Sequence, residues 1–147
     1  MEKIIKDVEK DRRVYYKGAK PTSQSETFIS DEICFTAVRM SDHLKAKSIV
    51  GMTRSGYSAL EISSYRPRAE IYIFTNNKPL LKSMSLVWGV RGFYYDKYES
   101  TDQTFTDVIE VLQSNGLVKK DDIVIHTASM PIKQKSMANS IKISVVE

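Results

Sequence analysis

Apolar residues recur along this chain with two periods in turn, one of about three to four positions and one of two. Ile33, Ala37, Met40 and Leu44 return at helical spacing, with Cys34 and Val38 widening the stripe. Ser30 or Asp31 is placed to cap this helix, and Asp31 and Glu32 suit its first turn, where the helix dipole favours negative charge. The run Ser48 to Met52 is short, apolar and bounded by hydroxyls, and it predicts a first strand. A helix from Gly56 to about Ser64 follows, closed before Arg66-Pro67 because a residue preceding proline avoids the helical region. Residues 71–74, β-branched and aromatic, predict a second strand. Asn76-Asn77 form a turn, Pro79 suits a first helical position, and Leu80, Leu81, Met84 and Trp88 share one helical face up to Gly89. Residues 90–95 predict a third strand. Ser100 or Thr101 caps a helix carrying Phe105, Val108, Ile109 and Leu112, with Gly116 as its stop. Residues 123–125 predict a fourth strand and 128–139 a long loop. Residues 141–146 predict a fifth strand, whose apolar–polar alternation suits a sheet edge. Ahead of this core, residues 1–11 read as an amphipathic helix through Ile4, Ile5 and Val8. Residues 12–29 contain Gly18, Pro21 and a polar run from Thr22 to Glu26, carry neither period, and read as a loop or linker.

Strands alternating with helices imply an α/β fold of three layers, α/β/α, with a mostly parallel five-stranded sheet. The connection between strands four and five is too short for a crossover helix, so strand five runs antiparallel to strand four. With right-handed crossovers, strands one to three step one way and strand four returns to the other side of strand one. The predicted order is 3-2-1-4-5. Loops after strands one and four then face each other at the switch point, where such sheets bind ligands. That places residues 53–58 opposite residues 128–139. The whole chain, 1–147, reads as one domain: an N-terminal helix (1–11), a linker (12–29) and an α/β core (30–147).

Composition narrows the function. At 147 residues and 41% hydrophobic content the chain can bury a sizeable core. The net charge is +4, with 22 basic and 18 acidic residues scattered and no run of five basic positions, which points away from nucleic acid and leaves small anions as partners. Cys34 is the single cysteine, so no internal disulfide forms; its helical stripe predicts a buried, unreactive thiol and fits a reducing cytoplasm. No stretch approaches the roughly 20 apolar residues of a membrane span. The opening residues are too charged for a signal peptide.

The candidate chemistry sits between strand one and the next helix. Thr53, Ser55 and Ser58 surround Gly56 at a helix N-terminus, where free amides and the dipole favour an anion. A helix cap needs one such hydroxyl, and three exceed that need; capping alone remains the alternative. The turn is neither a Walker loop nor a dinucleotide fingerprint. Arg54 contacts either a ligand or solvent. Lys133 and Lys135 in the facing loop are placed to neutralise phosphate, or are surface lysines. Trp88 reads as core or rim packing more than ligand stacking, and Arg91 points either at the crevice or into water. His43 falls on the polar side of its helix and His126 within strand four. Neither has a metal-ligand partner at useful spacing, so no metal site is expected. No Ser/His/Asp elbow and no marked carboxylate pair appears, so no catalytic residue is expected.

Several ordered stretches resemble the C-terminal domain of pyruvate kinase. They are residues 30–38 with 44–50, the turn Thr53-Arg54-Ser55-Gly56-Tyr57-Ser58-Ala59, Ser64-Tyr65-Arg66-Pro67-Arg68-Ala69, Trp88-Gly89-Val90 and residues 116–122. The opening nine residues resemble the helix that leads out of that family's catalytic barrel, and the match runs nearly end to end. The resemblance implies a regulatory α/β domain of a glycolytic phosphotransferase that converts phosphoenolpyruvate and ADP to pyruvate and ATP. It implies an effector-phosphate site at Thr53, Arg54, Ser55, Gly56, Tyr57 and Ser58, for a sugar phosphate. The facing effector loop corresponds to residues 128–139, with Lys133, Lys135, Ser136 and Asn139 as its candidate contacts. That loop departs from the family in having no glycine, and Ala138 stands where threonine is common; with no glycine to wrap a phosphate, effector binding is either lost or reshaped around Lys133 and Lys135. The family's catalytic residues, with its Mg and K ions, belong to the barrel, so the resemblance implies no cofactor and no phosphoryl transfer in this chain. The barrel domain and a second copy, paired through the sheet edge, are the implied partners. The alternative is a free-standing phospho-metabolite-binding or protein-interaction module derived from that domain.

Overall fold

The structure, a computed structural model, describes residues 2–97, 100–131 and 136–147. Its elements are α1 (Glu2–Val8), a short 3-10 turn (Arg12–Val14), α2 (Phe28–Leu44), β1 (Ser48–Met52), α3 (Tyr57–Ser64), β2 (Glu70–Thr75), α4 (Lys78–Met84), β3 (Val90–Tyr94), α5 (Thr101–Ser114), β4 (Ile123–Ala128) and β5 (Ser140–Val145). The five strands form one sheet in the order β3-β2-β1-β4-β5, parallel except for the antiparallel β4–β5 pair. Fold class, strand order and the direction of β5 all agree with the reading from periodicity.

The two sheet faces bury different helices. On one, Ile49, Ile71, Ile73 and Ile125 pack against Cys34, Ala37 and Val38 of α2, Ala59 and Ile62 of α3, and Met84 of α4. On the other, Val50, Tyr72, Phe74 and Val124 pack against Phe105, Val108 and Leu112 of α5. Residues one apart along a strand point to opposite faces, which is why Ile49 and Val50 serve different cores. Two layers of helix therefore flank the sheet. β1 is buried along its whole length, as a central parallel strand must be.

Most boundaries differ from the sequence reading by a residue or a few, α1 among them, which ends at Val8 and not at residue 11; three of the differences bear on packing. Helix α2 starts at Phe28 with Thr27 at its N-cap, so Ser30 and Asp31 lie inside the helix and are buried. Asp31 is held there because it accepts hydrogen bonds from Thr27 Oγ1 (2.7 Å) and Tyr57 Oη (2.6 Å), which replace water around the carboxylate. Helix α4 ends at Met84, not at Gly89. Leu86 and Val87 donate instead to the carbonyls three residues back, and the Trp88 carbonyl accepts from Ser63 Oγ at 2.7 Å. The fourth strand continues to Ala128, one residue into the predicted loop, because Ala128 pairs with Ser140.

Candidate functional site

The segment 53–58 leaves the C-terminal end of β1 and enters α3 at the switch point of the sheet. Neighbouring β1 are β2, with Met52 opposite Phe74, and β4, with Gly51 opposite Thr127. Chains leaving β2 and β3 go one way and the chain returning through α5 enters on the other side. Open α/β sheets bind ligands at such a switch point.

Local hydrogen bonding shapes the turn. The Thr53 amide donates to the Phe74 carbonyl at 3.2 Å, extending the sheet by one rung. The Gly56 amide then donates to Thr53 Oγ1 (2.9 Å) and the Tyr57 amide to Ser55 Oγ (3.3 Å). Gly56 sits in the left-handed region at φ +85°, and a Cβ there would fall 2.6 Å from Leu80 Cδ1. The backbone angle favours glycine here, and a larger residue would also have to push the Leu80 side chain aside. The first bond internal to α3 runs from Leu60 N to Gly56 O. The amides of Ser58 and Ala59 precede it, at the positive end of the helix dipole. Asn77 secures the turn from the next connection. Its Nδ2 donates to the Arg54 carbonyl (3.1 Å), while its Oδ1 caps α4 by accepting from the Leu80 amide (3.2 Å).

The expected site residues are placed unequally. Thr53, Ser55 and Ser58 occupy the turn and the first helical residues together, with Ser55 exposed, Thr53 half-buried and Ser58 buried. Arg54 is half-buried beside them. The Tyr57 side chain leaves the group. Its hydroxyl donates to Asp31 Oδ1 and lies 3.1 Å from Thr27 Oγ1, tying the turn to the start of α2. This bond to a carboxylate is also what raises the Tyr57 pKa. Lys133 and Lys135 lie outside the described residues. Ser136 hydrogen-bonds Ser129 across the base of the facing loop. Asn139 braces that base, accepting from the Met130 amide (2.7 Å) and donating to the Met130 carbonyl (2.8 Å).

Two participants escaped the sequence reading. Asn77 was read as a turn former only, because its reach to Arg54 spans 23 positions. Thr127 is buried in β4, where its hydroxyl donates to the Val50 carbonyl at 3.3 Å. A Cβ on Gly51 would lie 3.6 Å from Thr127 Oγ1 and 3.9 Å from Ser58 Oγ, so both hydroxyls flank this glycine. The polar pair His126-Thr127 directly after an aliphatic run was the available signal.

The remaining candidates fall elsewhere. Trp88 is half-buried, edge-on to Tyr15 at 6.2 Å and beneath Arg66, so it packs at the rim as expected. Arg91 lies near the start of β3, exposed over the Phe93 ring and away from the switch point at the strand ends. Cys34 is fully buried, with its thiol pushed up to about 12, chiefly by that burial, which leaves it unreactive at neutral pH. Among the described residues no group of three or more His, Cys, Asp or Glu is arranged to hold a metal ion. No helix among them is long and apolar enough to cross a membrane.

Residues 31–144 match the family pyruvate kinase, alpha/beta domain. The chain belongs to this family. It is 34% identical over 131 residues to pyruvate kinase of Lactobacillus delbrueckii subsp. bulgaricus, a match covering 89% of this chain and 21% of that protein. It is 27% identical over 147 residues to pyruvate kinase of Clostridium acetobutylicum, covering 100% of this chain and 31% of that protein. The crystal structure of a pyruvate kinase from Cryptosporidium parvum superposes with a TM-score of 0.74 at 21% identity, over 88% of this chain and 24% of that one, which shows a shared fold. The chain thus spans between about a fifth and a third of the length of these relatives.

Proposed function

We propose that this chain is the regulatory and subunit-contact domain of a pyruvate kinase, that it takes a phosphorylated effector at the turn 53–58, and that it transfers no phosphate by itself. The observation that carries the reading is the gathering of Thr53, Ser55 and Ser58 around the first amides of α3, at the switch point of the sheet. Hydroxyl donors, amides and a helix dipole in one place suit a phosphate monoester. By their place in the sequence after β4, Lys133 and Lys135 are assigned in this reading as the cationic contacts of the effector. Fructose bisphosphate, titrated calorimetrically into the chain, is expected to bind saturably, and Ser55→Ala with Ser58→Ala to abolish the heat. No heat at millimolar ligand overturns the effector reading. In a coupled assay the chain is expected to form no pyruvate from phosphoenolpyruvate and ADP; measurable turnover overturns the non-catalytic reading.

One observation favours a second reading, a protein-interaction module in which the turn is only a capping device. Thr53 Oγ1 and Ser55 Oγ already accept the Gly56 and Tyr57 amides. Under that reading Ser55→Ala costs about 1 kcal/mol or less of stability, and there is no metabolite binding to lose.

A further inference from the structure

A cavity of about 230 Å³ lies where residues 16–20 cross the outer side of α2 and the C-terminal end of α3. The turn 53–58 is at the other end of α3, which advances about 12 Å over its eight residues. The cavity is therefore a separate place from the effector turn.

Three of its eight lining residues, Tyr16, Phe35 and Tyr65, are aromatic, and the crossing segment is held in position. The Tyr16 amide donates to the Arg66 carbonyl and the Lys17 amide to the Tyr65 carbonyl, both at 3.0 Å, so the crossing segment is pinned to the end of α3. Gly18 lies against the Tyr65 ring at φ +95°, where a Cβ would come within 2.7 Å of Tyr65 Cδ1. Phe35 meets the same ring edge-on at 5.5 Å. The Tyr65 hydroxyl donates to Glu61 at 2.7 Å, and burial first, with the nearby Asp42 charge adding to it, raises the Tyr16 pKa.

The charged residues that line the cavity are all basic: Lys17, Lys20 and Arg39. Of the neighbouring acids, Glu32 stands 3.9 Å from Lys20 and Asp42 is paired with Lys45 at 3.3 Å, while Glu61 accepts a hydrogen bond from the neutral Tyr65 hydroxyl and keeps its charge. Lys17 and Arg39 form no ion pair among the described residues. These two cations stand beside the aromatic rings that line the cavity and suit a ligand with a negative group and one flat ring. The size limits that body. At roughly 30 Å³ per liquid water molecule, 230 Å³ holds a one-ring solute and falls short of the about 300–1,000 Å³ typical of drug-sized ligands.

We propose that this cavity binds a small anion carrying one aromatic ring, with the ring against Phe35 and Tyr65 and the negative group between Lys17 and Arg39. Phenyl phosphate is the probe, with inorganic phosphate and phenol as its two halves, each titrated into the 147-residue chain and followed by amide chemical shifts. Phenyl phosphate is expected to bind saturably, with shifts concentrated at residues 16–20, 35–39 and 65, and to bind at least about tenfold more tightly than either half. Lys17 and Arg39 are exposed, so Lys17→Ala and Arg39→Ala leave the fold intact. Each is expected to weaken binding about tenfold, as the loss of one charge-assisted bond does, while Ser55→Ala leaves it unchanged. Absence of saturable shifts at these residues overturns the proposal, as does binding that both alanine variants leave untouched. Shifts confined to residues 53–58 overturn it too, since they place the ligand on the effector turn. Failure of fructose bisphosphate to bind leaves this proposal standing, because the two sites share no residue.

Discussion

His126 is fully buried in β4, and neither ring nitrogen has a hydrogen-bond partner among the described residues. It meets Phe105 edge-on at 4.8 Å, and Lys142 lies opposite it on β5. Burial first, and the Lys142 charge second, push its pKa down to about 4. The unfolded chain binds this proton near the ordinary value of 6.5, so between pH 6.5 and 4 the unfolded state holds more protons and stability falls as pH falls. Above pH 6.5 the residue is neutral in both states and adds no pH dependence. We expect a decline of up to about 1.4 kcal/mol per pH unit across that window, about 3 kcal/mol in all. Urea denaturation at a series of pH values checks it: His126→Leu should flatten that part of the profile, and an unchanged slope in the variant rules the assignment out. The second residue-scale prediction concerns Tyr57. Tyr57→Phe removes a 2.6 Å bond to buried Asp31 but leaves Thr27 on the same carboxylate. A loss of about 1–2 kcal/mol is expected in the urea midpoint; no change would mean that Asp31 is satisfied by Thr27 and solvent. At this scale the sequence was only partly legible. The run from Thr53 to Ser58 could be read as a polar turn, but the departure of Tyr57 toward Asp31 depends on a residue 26 positions away.

Elements were legible to the degree that their signals were local. Ser100 accepts from the Gln103 amide at the start of α5, and Gly116 follows its end at φ +67°, both as the capping pattern indicates. Helix α4 was half legible. Its start follows from Asn77 and Pro79, but its apolar stripe runs on to Trp88 while the helix stops at Met84. Contacts from distant segments decide that stop, through Ser63 on the Trp88 carbonyl and Tyr15 and Arg66 around its ring. The start of α2 was misread for a similar reason, since Asp31 looks like a capping acid until Tyr57 is brought against it. Asn77 joins element to site. Asn77→Ala is expected to cost about 1 kcal/mol through the lost cap of α4. It should also loosen the turn at Arg54, giving faster amide hydrogen exchange at residues 54–57. Exchange that stays at the wild-type rate would show that the Asn77 side chain does not restrain the turn.

At the scale of the whole molecule, the sheet ends in two edge strands, β3 and β5, and its α2–α3 face is left partly uncovered at β5. Ile143 and Val145 stand 43% and 59% exposed there, on an edge strand whose outer backbone groups pair with nothing in the described sheet. An apolar edge of this kind invites a second copy. The proposed subunit contact predicts concentration-dependent dimers in sedimentation, and a shift to monomer on Ile143→Lys with Val145→Lys; dimers that survive both changes would place the contact elsewhere. Helix α1 shows the reverse of a legible element. Its amphipathic pattern is correct, yet Ile4, Ile5 and Val8 are all exposed and none of its residues is buried. Periodicity reports that a face is apolar, not what covers it. By itself the sequence determined the element types, the parallel sheet and its order, because these follow from hydrophobic period, crossover length and chirality, which are properties of short segments and their connections. Tertiary structure alone decided where helices begin and stop, which hydroxyls meet over Gly51, that Tyr57 turns from the switch point to Asp31, and that Lys17 and Arg39 gather beside aromatic rings at the far end of α3. Each of those depends on residues that are distant in the chain and adjacent only after the layers pack.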